Sequence, residues 1–197
     1  MIAPAFVVRR VRPEDWPRLR ALRLEALEDT PMGFLERYED ALKVADEGWQ
    51  FRAHRGSEAG DSAQFIAELR PTMRSASGAE EADQWRQDGS FLGTMVGFPD
   101  TSGSDEVWLA AVYVTPAWRG RGRAVTDALL DAVVDWARSR NASRMLLEVH
   151  EDNASARAFY RRRGFVETGQ RKPYPLDPSA DELVMALPLH PSNGRSL

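Results

Sequence analysis

At 197 residues, 43% of them hydrophobic and 28% charged, the chain is long enough for one domain with its own core and short for two. It has no cysteine, which excludes a disulfide framework, a thiolate nucleophile and a cysteine metal site, and its three histidines, His54, His150 and His190, are too scattered for a metal centre. The net charge of −4 argues against a general nucleic-acid binder and suits a cationic or amine substrate. No apolar stretch approaches the roughly 20 residues of a membrane span. Residues 1–9 are too short and too soon charged for a signal peptide, so a cytoplasmic protein without membrane contact is expected.

Residues 6–11 read as a first strand, followed by Pro13 at a favourable early helix position. Trp16, Leu19, Leu22, Ala26 and Leu27 then recur as one face of an amphipathic helix, broken by Thr30-Pro31 and Gly33. A second helix is expected over 34–44, with Leu35, Tyr38 and Leu42 on one side. Residues 56–62 are turn-rich, 64–69 form a short strand, and 91–98 form the next apolar run. The intervening 70–90, rich in Ser, Ala, Gly, Glu and Asp, is far longer than a usual hairpin connection and reads as an inserted loop, either a lid or idle.

The most informative stretch is 107–136. Val107 to Val114 is an apolar, β-branched and aromatic run stopped by Thr115-Pro116. Arg119-Gly120-Arg121-Gly122-Arg123-Ala124 follows, and then Val125, Leu129, Val133 and Trp136 recur at helical spacing. Strand, tight turn and helix is the reading, with Asn141 as a left-handed cap. The glycines allow a sharp turn and close approach of a ligand. The unpaired N–H groups and dipole of the helix start make an anion site, to which Arg119, Arg121 and Arg123 add charge. A phosphate-binding turn follows. It has neither the Gly-Lys-Ser/Thr end of a P-loop nor the third glycine of a dinucleotide fingerprint.

Downstream, 145–149 is a strand, Asp152-Asn153 opens a short helix over 154–163, and Gly164 ends it. Another strand starts at 165–167, a loop is expected over 173–180, the last strand covers 183–187, and 191–197 reads as a disordered tail.

The turn resembles the Arg/Gln-x-x-Gly-x-Gly/Ala signature of the GNAT N-acetyltransferase superfamily, with Arg119, Gly122 and Ala124 at its fixed positions. The pattern Leu147-Glu148-Val149-x-x-x-Asn153-x-x-Ala156-x-x-x-Tyr160-x-x-x-Gly164-Phe165 is similar to the second hallmark of that superfamily, in the right order. The resemblance implies an α+β fold of α/β/α layers: a mixed, mainly antiparallel sheet of about seven strands with a splayed parallel pair, and about four helices. It implies a single domain over 1–190 and acetyl-CoA as cosubstrate, with no metal.

Under this resemblance Arg119, Gly120, Arg121, Gly122, Arg123 and Ala124 cradle the pyrophosphate. Backbone groups of Val112, Tyr113 and Val114 bond the pantetheine arm, and Asn153 contacts it while also serving as a helix N-cap. Tyr160, two helical turns after Asn153, stands about 10 Å further along the same side, where the acid for the leaving thiolate belongs. A bulge N–H is a candidate oxyanion contact. Two carboxylates compete as base. Glu148 matches the glutamate of ribosomal-protein N-terminal acetyltransferases, and Glu106 the one of histone-type members. His150 is a further proton acceptor.

The acceptor is expected to be a primary amine on a small molecule or peptide, attacking directly with no cysteine intermediate. Arg171-Lys172-Pro173-Tyr174-Pro175 departs from the Arg-x-x-Tyr-Tyr pattern of the peptide-specific branch by a proline in the last place. A homodimer is compatible with the resemblance. The alternative is a catalytically silent coenzyme A-binding sensor or regulatory module. A nucleic-acid role would rest on Arg161-Arg162-Arg163 alone, which reads better as a solvated helix end.

Overall fold

Apolar residues on the inner strands, and apolar stripes along the helices that cover them, produce a three-layer arrangement. A computed structural model describes residues 5–58, 60–70, 89–120 and 123–189. Seven strands, β1 (Phe6–Arg10), β2 (Ala63–Leu69), β3 (Phe91–Pro99), β4 (Glu106–Val114), β5 (Arg144–His150), β6 (Val166–Tyr174) and β7 (Asp177–Pro188), form one sheet in the order β1-β2-β3-β4-β5-β7-β6. Every neighbouring pair is antiparallel except β4–β5. The helices are α1 (Trp16–Asp29), α2 (Tyr38–Leu42), α3 (Asp46–Gly56), α4 (Arg123–Ser139) and α5 (Ala154–Arg162).

The crossover helix α4 buries Val125, Leu129, Leu130, Val133 and Ala137 completely, a stripe at helical spacing. It packs on Val107 and Leu109 of β4, Met145 and Leu147 of β5, and Met185 of β7. Gly97 is required there, because a Cβ would lie 2.6 Å from the Trp136 ring and 2.8 Å from Val133. Helices α1 and α3 cover the other face, where Leu19, Leu22, Ala26, Leu27, Trp49 and Ala53 meet Ile66, Phe91 and Tyr113. The side chains of β4 alternate between these two cores, as the two-residue repeat of a strand requires.

Three expectations need correction. Within 34–44 only Tyr38–Leu42 is helical: Phe34 is extended, Phe34 and Ala41 are the buried residues, and Leu35 and Leu42 are exposed. Helix α3 was not anticipated. Its buried stripe is only Trp49, Ala53 and Gly56, and Gln50, Arg52, His54 and Arg55 dilute it. Residues 173–180 are not a loop but a hairpin: Pro175 and Leu176 make the turn between β6 and β7. β6 is an edge strand, and an edge tolerates Pro173, which has no N–H, because no second neighbour needs a donor there. Asn141 (φ 58°) and Gly164 (φ 90°) do take the left-handed conformations that end α4 and α5. Most of the 70–90 insertion and the 191–197 tail lie outside the described residues.

Candidate active site

The parallel pairing of β4 with β5 lasts three residues, Glu106↔Arg144, Val107↔Met145 and Trp108↔Leu146, and then stops. The cause lies on the other side of β4. Thr94 pairs with Tyr113 and Val96 with Ala110, so Ala111 and Val112 together oppose Met95 alone. This bulge puts Ala111 at φ 51°, a left-handed conformation that a residue with a Cβ seldom adopts. The bulge bends β4 away, while β5 stays zipped to β7 as far as His150↔Glu182. Among the described residues the β5-facing edge of Val112, Tyr113 and Val114 therefore has no strand partner. An extended amide chain can pair with such an edge.

The chain leaves this edge through Thr115, a 3-10 turn at Pro116–Trp118, Arg119 and Gly120, and enters α4. Gly120 has φ 71° and nothing within 4 Å of a would-be Cβ, so its conformation, not crowding, calls for glycine. Arg121, Gly122 and the Arg123 side chain lie outside the described residues. Ala124 is exposed in the first turn of α4. The Arg119 side chain is a brace: Nε donates to the Val114 carbonyl at 2.8 Å, the guanidinium pairs with Asp29 of α1, and it lies 5.3 Å over the Tyr113 ring. The Arg119 bond holds the Asp29 carboxyl below the usual carboxylate range.

Asn153 caps α5, its Oδ1 accepting from the Ala156 N–H at 3.1 Å. Its amide nitrogen has no partner among the described residues and is available as a donor. Tyr160 is 6% exposed, held edge-on between Phe159 at 5.4 Å and Phe165 at 5.5 Å. Burial pushes its phenol well above the usual value near 10, so it carries its proton throughout the neutral range. It belongs to the core on the α4 side of the sheet, with Leu147 and Val149.

Glu148 alternates with those two residues and so faces the opposite, α1–α3 side of β5, two residues past the last β4 pair. Its carboxylate pairs with Lys172 of β6, whose ammonium also lies 5.3 Å over the Trp108 ring. Glu106 starts β4 at the closed end of the opening, paired with Arg144, about 17 Å along the strand from Ala111. The two carboxylates proposed from sequence are thus not together. His150 accepts from the Asp152 N–H through Nδ1 at 3.2 Å and meets Tyr174 edge-on at 4.9 Å, a turn-shaping arrangement.

Sequence reasoning missed Glu182. It is 8% exposed on β7, opposite His150 on one side and Lys172 on the other. Burial first, and the neighbouring Glu148 charge second, raise its carboxyl above the ordinary value. The signal was present: once β7 starts at Asp177, Glu182 is a charge on the inward phase of a strand. Tyr174 was quoted only as motif. Its hydroxyl donates to the Phe34 carbonyl at 2.8 Å and ties the β6–β7 hairpin to the α1–α2 segment. Between these elements opens a cleft of about 940 Å³ whose wall includes Glu28, Glu39, Glu151, Asp152 and Asp177. Among the described residues no group of three or more His, Asp or Glu side chains could hold a metal ion, and no helix is long and apolar enough to cross a membrane.

A strand bulged open against its parallel neighbour, a glycine turn into the crossover helix and a capped helix carrying Tyr160 make one arrangement, and residues 57–165 match the family model described as the acetyltransferase (GNAT) family. The chain belongs to the GNAT family. The [ribosomal protein bS18]-alanine N-acetyltransferase of Escherichia coli K12 is 37% identical over 87 residues, 43% of this chain and 57% of that protein. The mycothiol acetyltransferase of Beutenbergia cavernae is 35% identical over 88 residues, 44% of this chain and 28% of that protein. The match thus spans little more than half of the first GNAT relative and less of the second. The structure of yncA from Salmonella typhimurium, solved with its cofactor acetyl-CoA, superimposes with a TM-score of 0.69 at 17% identity, over 98% of this chain and 99% of that one.

Proposed function

We propose that the protein is an acetyl-CoA-dependent N-acetyltransferase that moves an acetyl group directly to a primary amine of a small molecule or peptide. The carrying observation is the bulge-opened edge of β4, which leaves a strand-shaped slot between Tyr160 on one side of the sheet and Glu148 on the other. Bound there, acetyl-CoA supplies an activated acetyl thioester. The residues suit it. The free edge of Val112, Tyr113 and Val114 pairs with the pantetheine amides, the Asn153 amide donates to the same arm, and the turn at 119–124 with the α4 N-terminus takes the pyrophosphate. The Salmonella structure with acetyl-CoA supports this use of the fold.

An amine of lysine type is protonated at neutral pH and must lose a proton before it attacks. Glu148, beside the opening, is the better placed of the two candidate bases, and Glu106 reads as the ion pair that closes the start of β4. The Lys172 ammonium is seated on Glu148, and the incoming amine has to displace it. Tyr160, neutral and buried, donates its proton to the leaving sulfur. The acidic cleft beside the β6–β7 hairpin favours a cationic acceptor. The relatives differ in acceptor, a ribosomal-protein alanine and mycothiol chemistry by their names, so the choice between peptide and small molecule rests on the cleft. We place the reaction in the cytoplasm.

The test is thiol release from acetyl-CoA across a panel of primary amines, alongside calorimetric titration with coenzyme A. Amine-dependent release is the expected result. Coenzyme A binding with no release from any amine would instead favour the silent sensor, for which the Lys172 ammonium already seated on Glu148 is the supporting observation.

A further inference from the structure

A second cavity, of about 410 Å³, lies under α1 and α3 and over β2, β3 and the bulged part of β4. That volume is within the range of small-molecule sites. Its body is apolar, with Leu19, Leu22, Trp49, Val96 and Phe98 on the wall. Among the described residues no carboxylate lines it, but three guanidinium groups do: Arg23, Arg52 and Arg55. Arg52 and Arg55 are one turn apart on α3, and Arg52 is three residues after Trp49, so one face of α3 presents the ring and both cations. The Arg52 guanidinium lies 4.5 Å over the Trp49 ring and that of Arg23 lies 4.2 Å over Phe34. Stacking holds these flat cations along an apolar wall with their N–H groups at its edge.

Their charge is not balanced locally. Glu36 accepts from both Arg23, at 2.9 Å, and Arg52, at 2.7 Å, so one carboxylate serves two cations. Arg55 has Asp61 at 3.4 Å, with both side chains largely in solvent, where such a pair holds weakly. Burial lowers the proton affinity of the Arg23 guanidinium despite Glu36, a desolvation cost that a second anion would offset. Glu36 also faces the acidic cleft, so the Arg23–Glu36–Arg52 triad is the partition between two compartments of opposite character.

We propose that this cavity is a binding site for an amphipathic organic anion, an apolar chain or ring bearing one carboxylate or phosphate that meets the Arg23, Arg52 and Arg55 cluster. Such a ligand fills the apolar body and competes with Glu36 for its two guanidinium partners. Neither Glu148 nor Tyr160 lines it, while Ala111 and Tyr113 of the bulged strand do, so the site adjoins the proposed acetyl-CoA slot without sharing its proposed acid or base.

The full chain is titrated calorimetrically with octanoate, octyl phosphate, octanamide and octylamine, which share a tail and differ in head group. At least one of the two anions should bind tenfold or more tightly than octanamide, and octylamine no more tightly than octanamide. The tighter of the two anions identifies the acid. An Arg52→Ala/Arg55→Ala variant should lose tenfold or more in anion affinity and keep its circular dichroism spectrum. Val96→Phe, which fills the cavity and leaves the arginines in place, should lose the anion as well and covers the case in which the arginine variant does not fold. Equal binding of anions and octanamide, no binding of either, or wild-type affinity in a folded variant overturns the proposal. None of these results touches the thiol-release assay, so failure here and failure of the acetyltransferase reading are read separately.

Discussion

The two halves of β4 contrast. From Glu106 to Trp108 the strand is zipped on both sides, to β3 and to β5, and its one charge is neutralised by Arg144. From Ala111 to Val114 it keeps β3 and gives up β5, at the expense of a left-handed alanine. The first half is held by the same forces as the rest of the sheet. The second half leaves its β5-facing backbone groups without a strand partner, the Val114 carbonyl being taken up by Arg119, which a folded protein tolerates where a side chain, solvent or a ligand supplies the partner. The proposed acetyl-CoA slot therefore sits where the sheet is locally worse, and the bulge is the device that separates the two halves.

Breaking the bulge gives the largest expected effect. Deleting Ala111 restores one-to-one register between β3 and β4 and lets β4 close on β5. The variant should fold and lose its response to acetyl-CoA. The wild type should gain roughly 2.7 kcal/mol at a hundredfold excess over Kd, or about 5–10 °C in Tm at 2–4 °C per kcal/mol. A melting shift retained by the deletion variant would remove the bulge from the account of binding.

Next is Tyr160→Phe, which keeps the ring between Phe159 and Phe165 and deletes the proton. Turnover should fall about a hundredfold, with acetyl-CoA affinity and Tm nearly unchanged, since the hydrogen bond strengthens mainly as charge builds on sulfur. Near-normal turnover with a confirmed acceptor would leave Tyr160 as packing.

The two glutamates compare the halves directly. Glu148→Gln should reduce turnover about tenfold or more near neutral pH. The loss should shrink as pH rises, because the amine then sheds its proton to solvent. Glu106→Gln should cost at most about 1 kcal/mol, the scale of a partly exposed ion pair, and leave turnover close to wild type. The opposite ranking in a steady-state pH profile would return the base to Glu106.

The smallest effect concerns Glu182. Its folded carboxyl is raised above 4.5 by burial and by Glu148. Below pH 4.5 it is protonated folded or unfolded and any stability linked to it is fully present; as pH rises through the folded value it ionises in a dry site and that stability is lost. Glu182→Gln never ionises. It should raise Tm above wild type near pH 7, by about 2–4 °C per kcal/mol relieved, and show no gain near pH 4. An equal gain at both pH values would assign the effect to packing.

Much of this was legible in the one-dimensional pattern because it depends on local chemistry. The strand–glycine turn–helix over 107–136, the cap residues Asn141, Asn153 and Gly164, and the stripe Val125, Leu129, Val133 each encode their own conformation through φ preferences or periodicity. The spacing of Asn153 and Tyr160 on α5 is likewise a property of one helix. What the chain could not declare locally is who stands opposite whom. Ala111 carries no mark of a bulge, because the bulge is a mismatch in count between β3 and β4. The ranking of Glu148 over Glu106 depends on where β5 parts from β4, and the Lys172 and Glu182 neighbours of Glu148 arrive from strands 24 and 34 residues away. Helix α3 escaped notice because two of its three buried residues are alanine and glycine, whose burial is decided by the partner and not by their own hydrophobicity.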